Sequence, residues 1–233
     1  MFDGKLKALT FSYDDGTTQD IRLIELFNKY NIKATFNLNS ELLGKENVLL
    51  REGVEVRHDK VKSEDVRHIY SGHEVAVHTL NHPNLTRITD DAEVLRQVEE
   101  DRIKLSELCG YEVKGMAYPS GAPNCDDRVA KIIRENTPIK YARTVPVSKS
   151  FEPYPDNYQY KGTLYHHDNW NELFSMGEKF LSLKTETPKV FYIWGHAFEF
   201  DIYPERWGIF EEFLQMMSGK KDIFYGTHRE ILG

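Results

Sequence analysis

Short runs of nearly continuous apolar residues recur along this chain, each followed by a stretch of helical spacing, and that alternation limits the fold more than any single motif. The runs at residues 6–13, 33–38, 74–77, 113–118, 141–145, 190–194 and 223–225 read as strands. They are too uniformly apolar to leave one face in water, which predicts parallel strands covered by helices. Helical spacing fills residues 20–30, 63–70, 90–109, 126–135, 171–184, 207–217 and 227–232. The clearest case is 90–109, where Val94, Val98, Ile103, Leu105 and Leu108 are apolar and Gly110 stands just past the end. Residues 41–57 suggest a packed loop or short hairpin, and residues 146–170, with Pro153, Pro155 and Gly162, read as irregular. A closed or nearly closed β/α barrel of about seven parallel strands fits this pattern better than an open doubly wound sheet, whose glycine-rich phosphate fingerprint is absent. With no repeat, linker or low-complexity segment, residues 1–233 are expected to form a single domain.

Composition narrows the function. A formal charge of −7 argues against a nucleic-acid partner, which would need a basic face. No apolar run approaches the ~20 residues that cross a bilayer, so no membrane partner is expected. The segment Met1-Phe2-Asp3-Gly4-Lys5 lacks the basic-then-apolar pattern of a leader, and the expectation is a cytoplasmic protein, or a secreted one if a leader has been removed. Cys109 and Cys125 are too few and too far apart for a disulfide framework or a CxxC site. Nothing here speaks to oligomeric state.

Polar residues cluster where the strands end. Phe11-Ser12-Tyr13 runs into Asp14 and Asp15, and Glu74-Val75-Ala76-Val77 runs into His78, with His82 four residues on. Met116-Ala117-Tyr118 is followed by Pro119-Ser120-Gly121, and Phe191-Tyr192-Ile193-Trp194 by Gly195-His196, with Glu199 and Asp201 beyond. In a parallel barrel these ends share one rim, the rim that hosts catalysis. The aspartate pair would also suit a turn in which both carboxylates bond backbone amides. Beside two imidazoles, one carboxylate could instead help hold a cation while the other handles a proton. Two imidazoles and one carboxylate leave coordination positions open for water and substrate. The remaining histidines read as surface or structural residues.

Ser12-Tyr13-Asp14-Asp15-Gly16, the stretch Gly72-His73-Glu74-Val75-Ala76-Val77-His78-Thr79-Leu80-Asn81-His82, and Tyr118-Pro119-Ser120-Gly121 resemble the motifs of the polysaccharide deacetylases, carbohydrate esterase family 4. Tyr30-Asn31-Ile32-Lys33-Ala34-Thr35-Phe36 extends the likeness. The resemblance implies a distorted (β/α) barrel and one divalent metal held by Asp15, His78 and His82, usually zinc, with cobalt, nickel or manganese as alternatives. It also implies Asp14 as base and His196 as acid in hydrolysis of an N-acetyl group on an amino-sugar substrate, small or oligosaccharide. The backbone N–H of Ser120 would help hold the oxyanion. Asp168 of Asp168-Asn169-Trp170, Glu199 or Asp201 would orient His196. Trp170, Trp194 and Tyr118 would wall the substrate pocket, and either tryptophan would equally suit plain core. Two alternatives stay open: hydrolysis of another C–N or ester bond in a small cytosolic molecule, and a carbohydrate-binding relative with weak catalysis. The chain departs from the family pattern at Ala117, where an arginine usually pairs with the base, at Ser120, where an aromatic is usual, and at Trp194, where a leucine is common.

Overall fold

The computed structural model describes residues 2–167 and 169–233. In chain order its strands are β1 (Lys7–Asp14), β2 (Thr35–Leu38), β3 (Val48–Arg51), β4 (Val54–Arg57), β5 (Glu74–Val77), β6 (Gly115–Ala117), β7 (Tyr141–Thr144), β8 (Tyr160–Lys161), β9 (Leu164–Tyr165), β10 (Lys189–His196) and β11 (Ile223–Tyr225). The α-helices are α1 (Asp20–Lys29), α2 (Val66–Ile69), α3 (Asp91–Cys109), α4 (Asp127–Asn136), α5 (Trp170–Ser182), α6 (Arg206–Met217) and α7 (His228–Leu232).

β1 is the axis of the sheet. All eight of its residues are buried, as expected of a strand covered on both faces. It pairs with β10 along its whole length, from Lys7 opposite Lys189 to Asp14 opposite His196. Its other edge is shared, with β11 beside residues 7–9 and β2 beside residues 12–14. From β2 the sheet continues through β5, β6 and β7 to β8, while β9 lies outside β10. Every pairing in this nine-stranded sheet is parallel.

The two outermost strands, β8 and β9, are separated in sequence by only Gly162 and Thr163. One run of chain, residues 160–165, therefore carries both edges of the sheet, which must curl on itself to allow it. The result is the distorted (β/α) barrel. β8 and β9 fall in the stretch read from sequence as irregular; two-residue strands are too short to show a period. The seven longer runs all appear as strands, and residues 41–57 contain the antiparallel hairpin β3–β4.

The helices are placed by local signals. Asp90 and Asp126 cap α3 and α4 through side-chain bonds to the amides of Ala92 and Val129, and Gly110 ends α3 at φ 77°. α1 turns Leu23, Ile24 and Phe27 inward, where Phe27 meets Phe11, Tyr13 and Phe36. α7, started by a capping box of Thr227 and Glu230, closes the end of the barrel opposite the C-termini of the strands.

Candidate active site

At the end of β1 the backbone turns left-handed, with φ 82° at Asp15 and 62° at Gly16. That turn takes Asp15 off the strand, so Asp14 and Asp15 both border one cavity of about 660 Å³. At φ 62°, and with a Cβ there only 2.6 Å from Leu38 Cδ2, Gly16 is a position that favours glycine. Among the described residues, four of the eight non-glycine positions with positive φ, Asp15, Glu52, His82 and Ser120, line the same cavity. Such backbone costs about 1–3 kcal/mol per residue and persists where the surrounding structure holds it.

His78 follows β5, and its Nδ1 lies 2.7 Å from the Ala117 carbonyl. A carbonyl only accepts, so Nδ1 carries the hydrogen and Nε2 turns its lone pair to the cavity. The loop bends at Thr79 and His82, with φ 69° and 67°, and brings the two imidazoles to 5.0 Å between centroids. His78 Nε2 is 3.9 Å and His82 Nε2 3.6 Å from Asp15 Oδ1. One ligand atom from each of the three residues lies within 4.8 Å of the others. Burial draws the His78 pKa down to about 4 and lowers that of His82, so both rings are neutral near pH 7, as ligands must be. Two neutral imidazole nitrogens and a carboxylate oxygen fit a divalent ion of the zinc type.

Asp15 has two further partners that no sequence pattern announced. His58 Nε2 lies 3.0 Å from Oδ2, and Lys60 Nζ donates to the Asp15 carbonyl at 2.8 Å while standing 3.6 Å from Oδ1. Burial alone would raise the Asp15 pKa; Lys60 and His58 outweigh it and hold the carboxyl well below its usual range. His58, expected to be a surface or structural histidine, is buried and braces Asp15 through this contact. It arises because the segment leaving the β3–β4 hairpin returns to the turn that follows β1, where Lys60 bridges to Thr17.

Asp14 is held from both sides. Asn37 Nδ2 donates to Oδ1 at 2.8 Å, and Arg143 pairs with Oδ2. Arg143 is 1% exposed, and its guanidinium lies 4.2 Å from the centroid of the Trp194 ring. In register it stands beside Ala117, on the next strand. The cation missing at position 117 therefore arrives from β7. Burial would raise the Asp14 pKa, but Arg143, then His78 and His196, bring it below the ordinary carboxylate value.

His196 ends β10 directly across from Asp14, with Nε2 4.0 Å from Asp14 Oδ2. Its Nδ1 lies 3.1 Å from Glu199 Oε1, and its backbone N–H donates to Glu199 Oε2 at 3.1 Å. Glu199 also takes the Tyr165 hydroxyl and lies 3.0 Å from Nε2 of the buried His166. Gly195 makes room for that ring, since a Cβ there would meet His166 at 1.8 Å. Burial would lower the His196 pKa; Glu199 overcomes it and raises the ring to about 9.

The other candidates separate. Asp201 does not orient His196: it accepts from Gln19 Nε2 and Trp207 Nε1, both at 2.9 Å, because the 3₁₀ turn Ala197–Asp201 aims it at α1 and α6. Asp168 lies outside the described residues. Trp170 does not wall the cavity; as the first residue of α5 it packs against His166 and Phe200. Trp194, Tyr118 and Ser120 do line it, Ser120 at φ 70°.

Similarity to known proteins bears on the family and the fold of the chain. The polysaccharide deacetylase family profile matches residues 3–138. The peptidoglycan-N-acetylglucosamine deacetylase of Bacillus cereus is 32% identical over 116 residues, 49% of this chain and 36% of that protein. The matched chain thus spans about a third of the length of that curated relative. Among solved structures, a probable polysaccharide deacetylase from Pseudomonas aeruginosa PAO1 superposes with a TM-score of 0.71 at 14% identity, over 97% of this chain and 88% of the other. Puue allantoinase superposes at 0.67, also with 14% identity and the same coverage, a likeness of fold. With the family profile spanning more than half of its residues, the chain belongs to the polysaccharide deacetylase family.

Proposed function

We propose that this protein is a metal-dependent hydrolase that removes an N-acetyl group from an amino-sugar substrate. The observation that carries the reading is one cavity bordered by the Asp15, His78 and His82 donor set, by Asp14 on Arg143, and by His196 on Glu199. A divalent ion at Asp15, His78 and His82, zinc first and cobalt, nickel or manganese as alternatives, would supply Lewis acidity for the acyl carbonyl and for water.

The residues of the chain account for the remaining roles. Asp14, kept ionised by Arg143 and fixed by Asn37, takes a proton from the attacking water as its oxygen bonds to the acyl carbon. The Ser120 N–H offers a donor to the oxyanion. His196, charged at neutral pH through Glu199, gives its proton to the amide nitrogen as the C–N bond breaks, and acetate and amine leave. Glu199 fixes which ring nitrogen faces the reaction.

Acetate release from N-acetylglucosamine oligomers, run beside a panel of other acyl amides and small cyclic amides, tests the reading. Metal analysis of the same protein before and after chelation accompanies it. The expected result is one bound divalent ion and acetate release that stops on chelation. Turnover confined to non-sugar amides would favour the second reading, a small C–N substrate, which the bounded cavity also suits.

A further inference from the structure

The charged residues around the cavity are matched with counter-charges, with one exception. Asp14 has Arg143, Asp15 has His58 and Lys60, and Glu199 has His166 and His196. Glu52 has His167 at 2.8 Å and Arg206 at 3.8 Å. Arg51, next to Glu52, lines the same cavity, and among the described residues its guanidinium has no hydrogen bond and no ion pair.

Arg51 is not on a loose surface loop. It is the last residue of β3, paired with Val54 across a two-residue turn in which Glu52 and Gly53 have φ 51° and 80°. Two positive φ values in a row make the tight turn that matches strand twist. The inner face of the hairpin is seated by Leu49, Val54 and Val56 against Phe198 and Ile202, just beyond His196. Glu52 ties the tip to the far side of the cavity through His167, and Arg206 Nη1 in turn lies 3.0 Å from His167 Nδ1. The tip is therefore anchored by packing and by an ion pair, and it brings to the cavity lining an exposed cation with no counter-charge among the described residues.

A guanidinium binds carboxylate or phosphate oxygens in pairs, and Arg51, an exposed side chain on an anchored backbone, keeps its donors free for such a group at the cavity. We propose that the β3–β4 hairpin tip reads substrate charge: the preferred substrate is an acetylated amino sugar bearing a carboxylate or phosphate, and Arg51 binds that group. This rests on the amide-hydrolase reading of the same cavity. Glu52 serves as the positioning residue, since it pins the tip that carries Arg51.

The test uses zinc-loaded protein carrying Asp14→Asn to stop turnover, and calorimetric titration with N-acetylglucosamine, its 6-phosphate and N-acetylmuramic acid. At least one charged sugar should bind about fivefold more tightly than the neutral one at low salt, and about 0.5 M salt should erase the gap. The tighter of the two identifies phosphate or carboxylate as the group read. Arg51→Ala should bring the charged sugar to the affinity of the neutral one, and Arg51→Lys should restore part of the difference. Equal affinities for all three sugars, no binding of any, or a preference that survives Arg51→Ala overturns the proposal. The wild-type protein is assayed in parallel for acetate release. A charge preference that depends on Arg51 without acetate from any sugar would leave the charge reader standing and remove the deacetylase reading.

Discussion

The two ends of this barrel each bury carboxylates, and they treat them in opposite ways. At the end closed by α7, Glu74 accepts from the Thr35 hydroxyl at 2.8 Å, from the Arg229 amide at 2.9 Å and from the Tyr141 hydroxyl. Each of these donors is neutral, and burial raises the Glu74 pKa in spite of them. At the other end Asp14 meets a guanidinium and Glu199 meets two imidazoles, and both are held below the ordinary range although burial pushes them up. Neutral donors satisfy a carboxyl and close a core around it. Cationic partners keep it ionised beside an open cavity, where its charge can be used.

The largest test of this contrast is Asp14→Asn, expected to lower kcat by ~10²–10⁴ while metal content stays at wild type. Loss of the metal with the activity would show that Asp14 is a ligand and not a base. Next comes Arg143→Ala, which leaves Asp14 buried without its cation and should cost about 3–5 kcal/mol in urea unfolding as well as activity. A loss under about 1 kcal/mol would mean that the pair is not what holds the upper rim. For Glu199→Gln, kcat should fall by about tenfold or more, and the alkaline limb of the rate profile, expected near pH 9 from the His196 pKa, should move to lower pH. An unmoved limb would detach Glu199 from the acid.

Glu74→Gln is the matching change at the closed end. It should cost about 1–3 kcal/mol of stability and leave kcat and KM alone. The smallest effect is one of sign. The Asp14 pKa is lowered on folding, so its contribution to stability is present above the unfolded value of about 3.9 and is lost as pH falls below it. The Glu74 pKa is raised, so its contribution is full below about 4.3 and is lost as pH rises through the folded value. Urea titrations of chelated protein should show Asp14→Asn and Glu74→Gln changing the pH slope of stability in opposite directions; slopes changing alike would cancel the contrast.

Much of the upper rim was readable because it is local in sequence. Asp14 and Asp15 end an apolar run, His78 and His82 stand four apart after another, and His196 and Glu199 lie within one turn of each other. Arg143 was not readable: it sits inside a four-residue buried strand, 129 positions from the carboxylate it meets. His58 and Lys60 escaped notice for the same reason, since their hairpin gives no hint that it returns to the turn that follows β1. Between wall and core for Trp170, and between Glu199 and Asp201 for His196, the sequence did not choose, because proximity to a motif does not say toward which side of a helix or turn a residue points.

The amino-acid sequence alone determined the alternation of strand and helix, the parallel sheet and the rim on which the polar residues gather, because burial on both faces and helical spacing are written in neighbouring residues. Only the tertiary structure decided which cation neutralises which carboxylate, that residues 160–165 carry both edges of the sheet, and that Arg51 at the cavity has no counter-charge among the described residues. Those are pairings across the barrel, set by strand order and curl, and electrostatics acts through distance in space, not along the chain.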